Sequence, residues 1–208
     1  MKAFSILLAL ALPCSAQVDQ ATRWKSAQLR SIDLLRLDKA VALYQRTQIR
    51  YQAIEALRPQ GVPAPIVFTF HGRESSWDFG AHLHEGSPLT HRTRDIPRGR
   101  PLHPDPPYTF EQSAEDALYI LKHENQVNWR NLGAALQAME AYNGLGYQRY
   151  HPSIPSPYLW AGTTLYTRGK YVRDGRFSAV TVDSQLGCAA ILKRMKERGT
   201  GDWSKLPW

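Results

Sequence analysis

This 208-residue chain has little cysteine, few long hydrophobic runs and fewer acidic than basic residues. The first two shortages exclude classes of protein, and the third indicates a kind of partner. Cysteine occurs only at Cys14 and Cys188, which excludes a disulfide-stapled scaffold and a zinc site built from several cysteines. Beyond the N-terminus no stretch approaches the ~20 apolar residues of a membrane-spanning helix, so we expect no stable membrane insertion. The 18 acidic residues are outnumbered by 26 Lys and Arg, and the resulting net charge of +8 favours a polyanionic partner.

Residues 1–16 have the three parts of an export signal. Lys2 supplies a positive start, an apolar run follows it, and Cys14–Ala16 provides small residues suited to cleavage. We therefore expect an exported protein, periplasmic or secreted, whose mature chain begins after this site. Lipid attachment at Cys14 is the alternative, and Pro13 directly before this cysteine disfavours it.

The rest of the chain has mostly α-helical periodicity, and we divide it into an N-terminal helical segment, 17–60, and a main domain, 61–208. In the first segment, apolar residues recur at three- and four-residue steps from Ser31 to Leu57, which predicts a one-sided helix. Three later helices are predicted: one opened by a capping box at Thr109 and Gln112, one over Trp129–Tyr142, and one from Asp183 to Gly199. A short β-hairpin is expected between Gly80 and Thr93, so the predicted fold class is mostly α (α+β).

The segment that follows the first long helix contains a candidate acid. Ile66–Phe70 has the β-branched and aromatic composition of a strand, whereas two nearby prolines suit the start of a helix. Glu74 follows, close in sequence to Phe70, Trp77 and Phe79. A carboxyl group among aromatic side chains is costly to ionise, so its pKa rises and it can hold the proton of a general acid near neutral pH. A surface glutamate after an apolar run is the alternative interpretation.

Several short motifs occur in one order along the chain, and together they resemble a known family. They are HGRES (71–75), HLHEGSPLT (82–90), GRP (99–101), AYNGLGY (141–147), SPYLWAGT (156–163) and GKYVRDG (169–175). Glu-Ser at the end of a helix, followed later by AYNG, resembles the motifs of lytic transglycosylases and goose-type lysozymes. The whole set resembles a bacterial and phage branch of lysozyme-like, peptidoglycan-cleaving proteins, over residues 71–101 and 141–175.

This resemblance implies a lysozyme-like, two-lobed fold with a short β-hairpin and a glycan-binding groove. It also implies cleavage of the β-1,4 bond between N-acetylmuramic acid and N-acetylglucosamine in peptidoglycan, with Glu74 as general acid and without a cofactor. We expect a monomer whose partner is the peptidoglycan glycan strand rather than nucleic acid. The residues expected to bind substrate are Ser75, His84, Thr90, Tyr142, Asn143, Tyr158 and Trp160.

Glycoside hydrolysis usually needs a second carboxylate, and the sequence leaves its identity open. The candidates are Asp78, Glu85 and Asp95. Asp78 follows Glu74 by four residues, so the two would share a face if the helix continued. Glu85 stands where the resembled family more usually has asparagine. Lytic transglycosylases manage with one glutamate because the muramyl 6-hydroxyl replaces water, so hydrolysis and transglycosylation both stay open.

Two other functions fit parts of the sequence. His71, Asp78 and His84 resemble the ligand set of zinc-dependent peptidoglycan peptidases, since two histidines and a carboxylate can bind zinc. Their crowding into fourteen residues departs from that family, in which the H-x-H pair comes much later. A non-catalytic cell-wall glycan-binding protein would use the aromatic residues between Tyr142 and Tyr171, but it would have no need of Glu74.

Overall fold

The computed structural model describes residues 19–173 and 175–208, so the predicted export signal and Cys14 lie outside the described residues. Helices account for 48% of the structure, and the described residues contain one small antiparallel sheet, which confirms the mostly α class. The helices are α1 (Gln20–Ser26), α2 (Leu34–Glu55), α3 (Ala64–Ser75), α4 (Phe110–Glu115), α5 (Leu132–Asn143), α6 (Gly146–Tyr150), α7 (Pro157–Trp160) and α8 (Cys188–Glu197). The strands are β1 (Lys170–Arg173) and β2 (Arg176–Ser178). No helix in this part of the chain has both the length and the apolar character needed to cross a membrane.

Helix α2 is the long one-sided helix predicted from the sequence, and a 3-10 turn at Ser31–Asp33 precedes it. Its apolar stripe is buried, with Leu37, Val41, Tyr44 and Tyr51 each less than 5% exposed. The helix packs against α3 and α8. The N-terminal segment and the main domain therefore contribute side chains to one hydrophobic core.

Helix α3 carries the candidate acid and is surrounded by other elements. Proline occupies its N-cap and its first turn, where the fixed φ of proline suits a helix and no intrahelical donor is lost. Ile66–Phe70 is therefore helical, and each of its residues is fully buried, as expected of a helix packed between α2 and α8. The helix ends at Ser75 because Ser76 and Trp77 adopt left-handed conformations, with φ of 55° and 62°.

The β-hairpin predicted between Gly80 and Thr93 is wrong. This segment is a tight loop with one isolated bridge between Ala81 and Pro88, closed by two backbone hydrogen bonds of 2.8 and 2.9 Å. Proline has no N–H to donate, so a ladder of hydrogen bonds cannot continue through Pro88. The antiparallel sheet lies instead at β1 and β2, where Tyr171 pairs with Phe177 across the strands.

The capping box at Thr109 and Gln112 is confirmed at the start of α4, which continues into a π-helical turn at Asp116–Leu121. Helix α8 begins later than predicted, at Cys188 rather than near Asp183. The cause is a contact with α7. Gly187, directly before α8, lies so close to α7 that a Cβ added to it would be 2.3 Å from the carbonyl oxygen of Leu159. This close approach holds the chain extended up to the helix start.

Candidate active site

Glu74 lies in the last turn of α3, where its side chain is partly buried. The hydroxyl of Tyr158, from α7, donates a hydrogen bond to Glu74 Oε1 at 2.7 Å. Burial raises the pKa of Glu74 from 4.5 to about 7, and the hydrogen bond from Tyr158 and the charges of Arg73 and Lys122 oppose this only in part. Near neutral pH a large fraction of Glu74 is therefore protonated, which is the state a general acid needs.

The aromatic side chains that line the groove at Glu74 are distant from it in sequence. Trp77 turns away, since its ring stacks on Phe68 at 5.2 Å and its indole N–H donates to Phe68 O at 3.0 Å. Tyr142, from α5, lies near the carboxyl group and stacks on Phe70 at 4.3 Å. The pKa of Glu74 is raised, as expected, but residues distant in sequence provide part of the burial that raises it.

Two cavities, of 530 and 580 Å³, meet at Glu74. The first is lined by residues that include Arg73, Tyr147, Tyr158, Lys170, Tyr171 and Asp183. The second is lined by residues that include His84, Glu85, Ile96, Leu121, Lys122 and Tyr142. Glu74 and Asn143 line both, so the two cavities form one groove that passes the carboxyl group. A groove of this kind suits an extended ligand that crosses the acid.

The AYNG motif closes α5 beside this groove. Tyr142 is buried, and its hydroxyl donates to Leu83 O at 3.3 Å instead of to Glu74. It therefore forms a wall of the groove, and the phenol that contacts the acid is the one from α7. Asn143 is exposed and lines both cavities. Gly144 then ends the helix with a φ of 110°, a conformation that favours glycine.

Tyr158 and Trp160, predicted together as groove residues, have different positions. Tyr158 is 2% exposed, but its hydroxyl contacts Glu74 and its side chain lines the first cavity. Trp160 is fully buried in the core and lines neither cavity, so its prediction as a substrate-binding residue is wrong. Both lie on the short helix α7, where residues two positions apart point to nearly opposite sides.

Of the three candidates for a second carboxylate, Glu85 alone lines the groove with Glu74. Its negative charge contributes to the raised pKa of Glu74, and the amide of Ser87 donates to Glu85 Oε2 at 3.2 Å. Asp78 lies outside the groove because α3 ends before it, and its carboxylate accepts instead from the Gly80 amide at 2.8 Å. Asp95 is exposed and lines neither cavity.

Two further predictions of substrate binding do not agree with the structure. The Ser75 hydroxyl donates to the carbonyl of His71 at 3.3 Å, so it bonds to the backbone of its own helix. Thr90 is exposed, and its hydroxyl pairs with the ring of His91 at 2.8 Å. Neither residue lines the groove. Both were predicted from the motifs that contain them, HGRES and HLHEGSPLT.

His84 lines the second cavity but is held by the protein on both ring nitrogens. Nε2 lies 2.7 Å from Asp116 Oδ2, and Nδ1 lies 3.2 Å from Ser113 Oγ. Asp116 also accepts two hydrogen bonds from Arg100, at 2.9 and 2.7 Å. Burial lowers the pKa of His84, although the bond to Asp116 opposes this. The residue therefore anchors the loop that carries Glu85 to the π-helical turn.

The three residues predicted as zinc ligands do not converge. His71 is buried with its nitrogens bonded to the Tyr51 hydroxyl (2.8 Å) and to the Asp78 carbonyl (3.1 Å), and burial lowers its pKa to about 4. His84 is held elsewhere, by Asp116. Within residues 19–173 and 175–208, no group of three or more His, Cys, Asp or Glu side chains could hold a metal ion. This donor set does not fit zinc.

A buried ion-pair network beside Glu74 has no counterpart in the sequence analysis. Arg73 donates to Asp183 Oδ2 at 2.9 Å, and Lys170 donates to Asp183 Oδ1 at 3.1 Å. These bonds tie β1, which forms part of the groove wall, to the helix that carries Glu74. The residues are 110 and 13 positions apart, and no local pattern marks them as partners.

Comparison with known proteins adds no identification, because no protein-family model, curated protein or solved structure matches this chain.

Proposed function

We propose that the protein is an exported peptidoglycan glycosidase, either a lysozyme-type hydrolase or a lytic transglycosylase, that cleaves the β-1,4 bond between N-acetylmuramic acid and N-acetylglucosamine. The observation that carries the proposal is Glu74, whose pKa of about 7 and position where two cavities meet suit a general acid. The resemblance of its motifs to lysozyme-like proteins supports the choice of substrate. The proposal needs no cofactor.

The proposed reaction begins with protonated Glu74 donating its proton to the glycosidic oxygen as the bond from that oxygen to the anomeric carbon breaks. The Tyr158 hydroxyl, 2.7 Å from Oε1, orients the carboxyl group and stabilises the carboxylate that forms. Glu74 then accepts a proton from the attacking hydroxyl group. In hydrolysis that hydroxyl belongs to water, with Glu85 as the second carboxylate. In transglycosylation it is the muramyl 6-hydroxyl, and no second carboxylate is needed.

The proposal includes a lysozyme-like fold in which the groove at Glu74 separates two lobes. The mostly α architecture and the position of Glu74 at the end of a largely buried helix support it. The proposal includes a monomer. The net charge of +8 supports attraction to an anionic cell wall outside the cytoplasm.

The test is the variant Glu74→Gln, which keeps the size of the side chain and removes its proton. We expect release of soluble fragments from purified peptidoglycan to fall by ~10²–10⁴-fold without loss of fold. The matched control is Glu124→Gln, since Glu124 is also buried with a pKa raised to about 7 but lines neither cavity at Glu74. Its activity should stay near that of the unaltered protein.

Mass spectrometry of the fragments separates the two reaction types, because hydrolysis leaves reducing ends and transglycosylation leaves 1,6-anhydro ends. Activity of folded Glu74→Gln within tenfold of the unaltered protein would refute the assignment. Cleavage of the stem peptide in place of the glycan strand would refute the glycosidase itself.

A further inference from the structure

The two cavities of the groove at Glu74 differ in charge. Among residues 19–173 and 175–208, three basic side chains and two carboxyl groups line the first cavity, whereas one basic side chain and two carboxyl groups line the second. The charged residues of the first are Arg73, Lys170, Arg173, Glu74 and Asp183, and those of the second are Lys122, Glu74 and Glu85. A groove with this difference attracts an anionic group to its first cavity.

The carboxylate of Asp183 does not cancel the positive charge of the first cavity. Its Oδ2 accepts from Arg73 at 2.9 Å, and its Oδ1 accepts from Lys170 at 3.1 Å and from the Gln185 amide at 3.0 Å. One carboxylate therefore meets two basic side chains. The Lys170 ammonium has three N–H donors, of which Asp183 accepts one, and its side chain is 31% exposed. Lys170 can therefore also donate to a ligand in the cavity.

The hairpin formed by β1 and β2 adds further basic side chains beside the first cavity. Residues 168–176 include Arg168, Lys170, Arg173 and Arg176 and one acidic residue, Asp174. Arg173 and Arg176 are exposed and lie directly opposite each other in the register of the two strands. Like charges in this position destabilise a strand pair. A bound anion would reduce that repulsion, and Arg173 is the member of the pair that lines the cavity.

The two sugars of peptidoglycan differ in charge as well. N-acetylmuramic acid carries a lactyl substituent that ends in a carboxylate or in a stem peptide with carboxylates of its own, and N-acetylglucosamine carries neither. Guanidinium groups bind carboxylates through charge-assisted hydrogen bonds, often in pairs. Under the proposed function the cleaved bond joins these two sugars at Glu74, so one sugar lies in each cavity.

We propose that the first cavity binds N-acetylmuramic acid, with the carboxylate of its lactyl or peptide substituent at Arg173 and Lys170, and that the second cavity binds N-acetylglucosamine. The identity of the sugars rests on the proposed function, whereas the preference of the first cavity for a carboxylate rests on the charges around it. This arrangement gives a glycan strand one direction through the groove.

The test is isothermal titration calorimetry of the whole protein carrying Glu74→Gln, which prevents cleavage, with two tetrasaccharides. One alternates N-acetylglucosamine with peptide-free N-acetylmuramic acid, and the other, chitotetraose, has N-acetylglucosamine throughout and no carboxylate. We expect tighter binding of the muramyl tetrasaccharide. Adding Arg173→Gln should weaken that binding by about three- to tenfold and leave the binding of chitotetraose unchanged. Arg173 is exposed, so this substitution should not affect folding.

Two control variants separate the contact at Arg173 from other effects of charge. Arg46→Gln removes the same charge from an exposed position on α2 that lines neither cavity, and it should bind both tetrasaccharides unchanged. Lys122→Gln removes the basic residue of the second cavity and should weaken binding of the muramyl tetrasaccharide less than Arg173→Gln does. Repeating the titrations with a peptide-bearing muramyl tetrasaccharide distinguishes the two carboxylates. A loss confined to this ligand in Arg173→Gln assigns the contact to the peptide, and a loss with the peptide-free ligand assigns it to the lactyl group.

An equal loss for chitotetraose and the muramyl ligands in Arg173→Gln, or no loss for any of them, would overturn the proposal. An equal loss in Arg46→Gln would overturn it by showing an effect of net charge, and a larger loss in Lys122→Gln would place the carboxylate in the second cavity. Carboxylate binding that depends on Arg173, in a protein that does not cleave glycan, would refute only the proposed function. Glycan cleavage without this dependence would refute only the assignment of the first cavity.

Discussion

Tyr158→Phe tests how the structure sets the acidity of Glu74. The variant removes one hydroxyl and keeps a ring that is 2% exposed and packed 6.4 Å from Phe70. The lost hydrogen bond, 2.7 Å to Glu74 Oε1, favours the carboxylate, so its removal raises the pKa of Glu74 above its value of about 7. Hydrogen bonds to charged groups contribute about 1.5–3 kcal/mol, and one pKa unit corresponds to about 1.4 kcal/mol. The expected rise is therefore about one to two pKa units.

The assay is a titration of the labelled Glu74 carboxyl carbon by NMR, with the pH profile of cleavage measured beside it. The alkaline limb of the profile should move upward with the pKa, because the acid keeps its proton to higher pH. Tyr119→Phe is the control, since that buried hydroxyl donates to Ile54 O at 3.0 Å and does not contact Glu74. An unchanged or lower pKa in folded Tyr158→Phe would refute the reasoning.

Three further predictions concern the charges near the groove. The pKa of Glu124 is raised by burial from 4.5 to about 7, so the folded state loses stability as pH rises from about 4.5 through 7. Urea unfolding of Glu124→Gln should therefore give a free energy of unfolding about 1–3 kcal/mol higher than that of the unaltered protein at pH 8, and no difference near pH 4. An equal effect at both pH values would contradict this. Asp183→Asn leaves buried Arg73 without its counter-ion and should destabilise the fold by about 3–5 kcal/mol, and an unchanged thermal midpoint would count against the network. Glu85→Gln removes a negative charge near Glu74 and should lower the pKa of Glu74 in the same NMR titration, whereas an unchanged pKa would show that the two carboxyl groups do not interact.

Local sequence patterns identified the elements that depend on neighbours within a few positions. The stripe of α2, the capping box of α4 and the end of α5 at Gly144 all follow from spacings of three to five residues, and the structure confirms them. The same patterns were ambiguous at Ile66–Phe70, where composition favoured a strand and the prolines a helix. The segment is helical, with proline at its N-cap and in its first turn, and it packs between α2 and α8.

The site was predictable in part because some of its residues stand in short local motifs. Glu74 and Asn143 stand in recognisable motifs, and the structure places both at the groove. The motifs could not distinguish Tyr158 from Trp160, because direction on a short helix depends on what packs around it. They also could not choose among the carboxylates, since the choice depends on α3 ending before Asp78.

Local periodicity, capping and short motifs were enough to predict the mostly α class, the approximate positions of α2 and α5, and the candidate acid. The surroundings of that acid depend on contacts between distant parts of the chain. Tyr158 reaches Glu74 across 84 positions, and Arg73 meets Asp183 across 110. A pKa near 7 arises from such contacts, since burial and partner charges are properties of the packed chain and no spacing along the sequence encodes them.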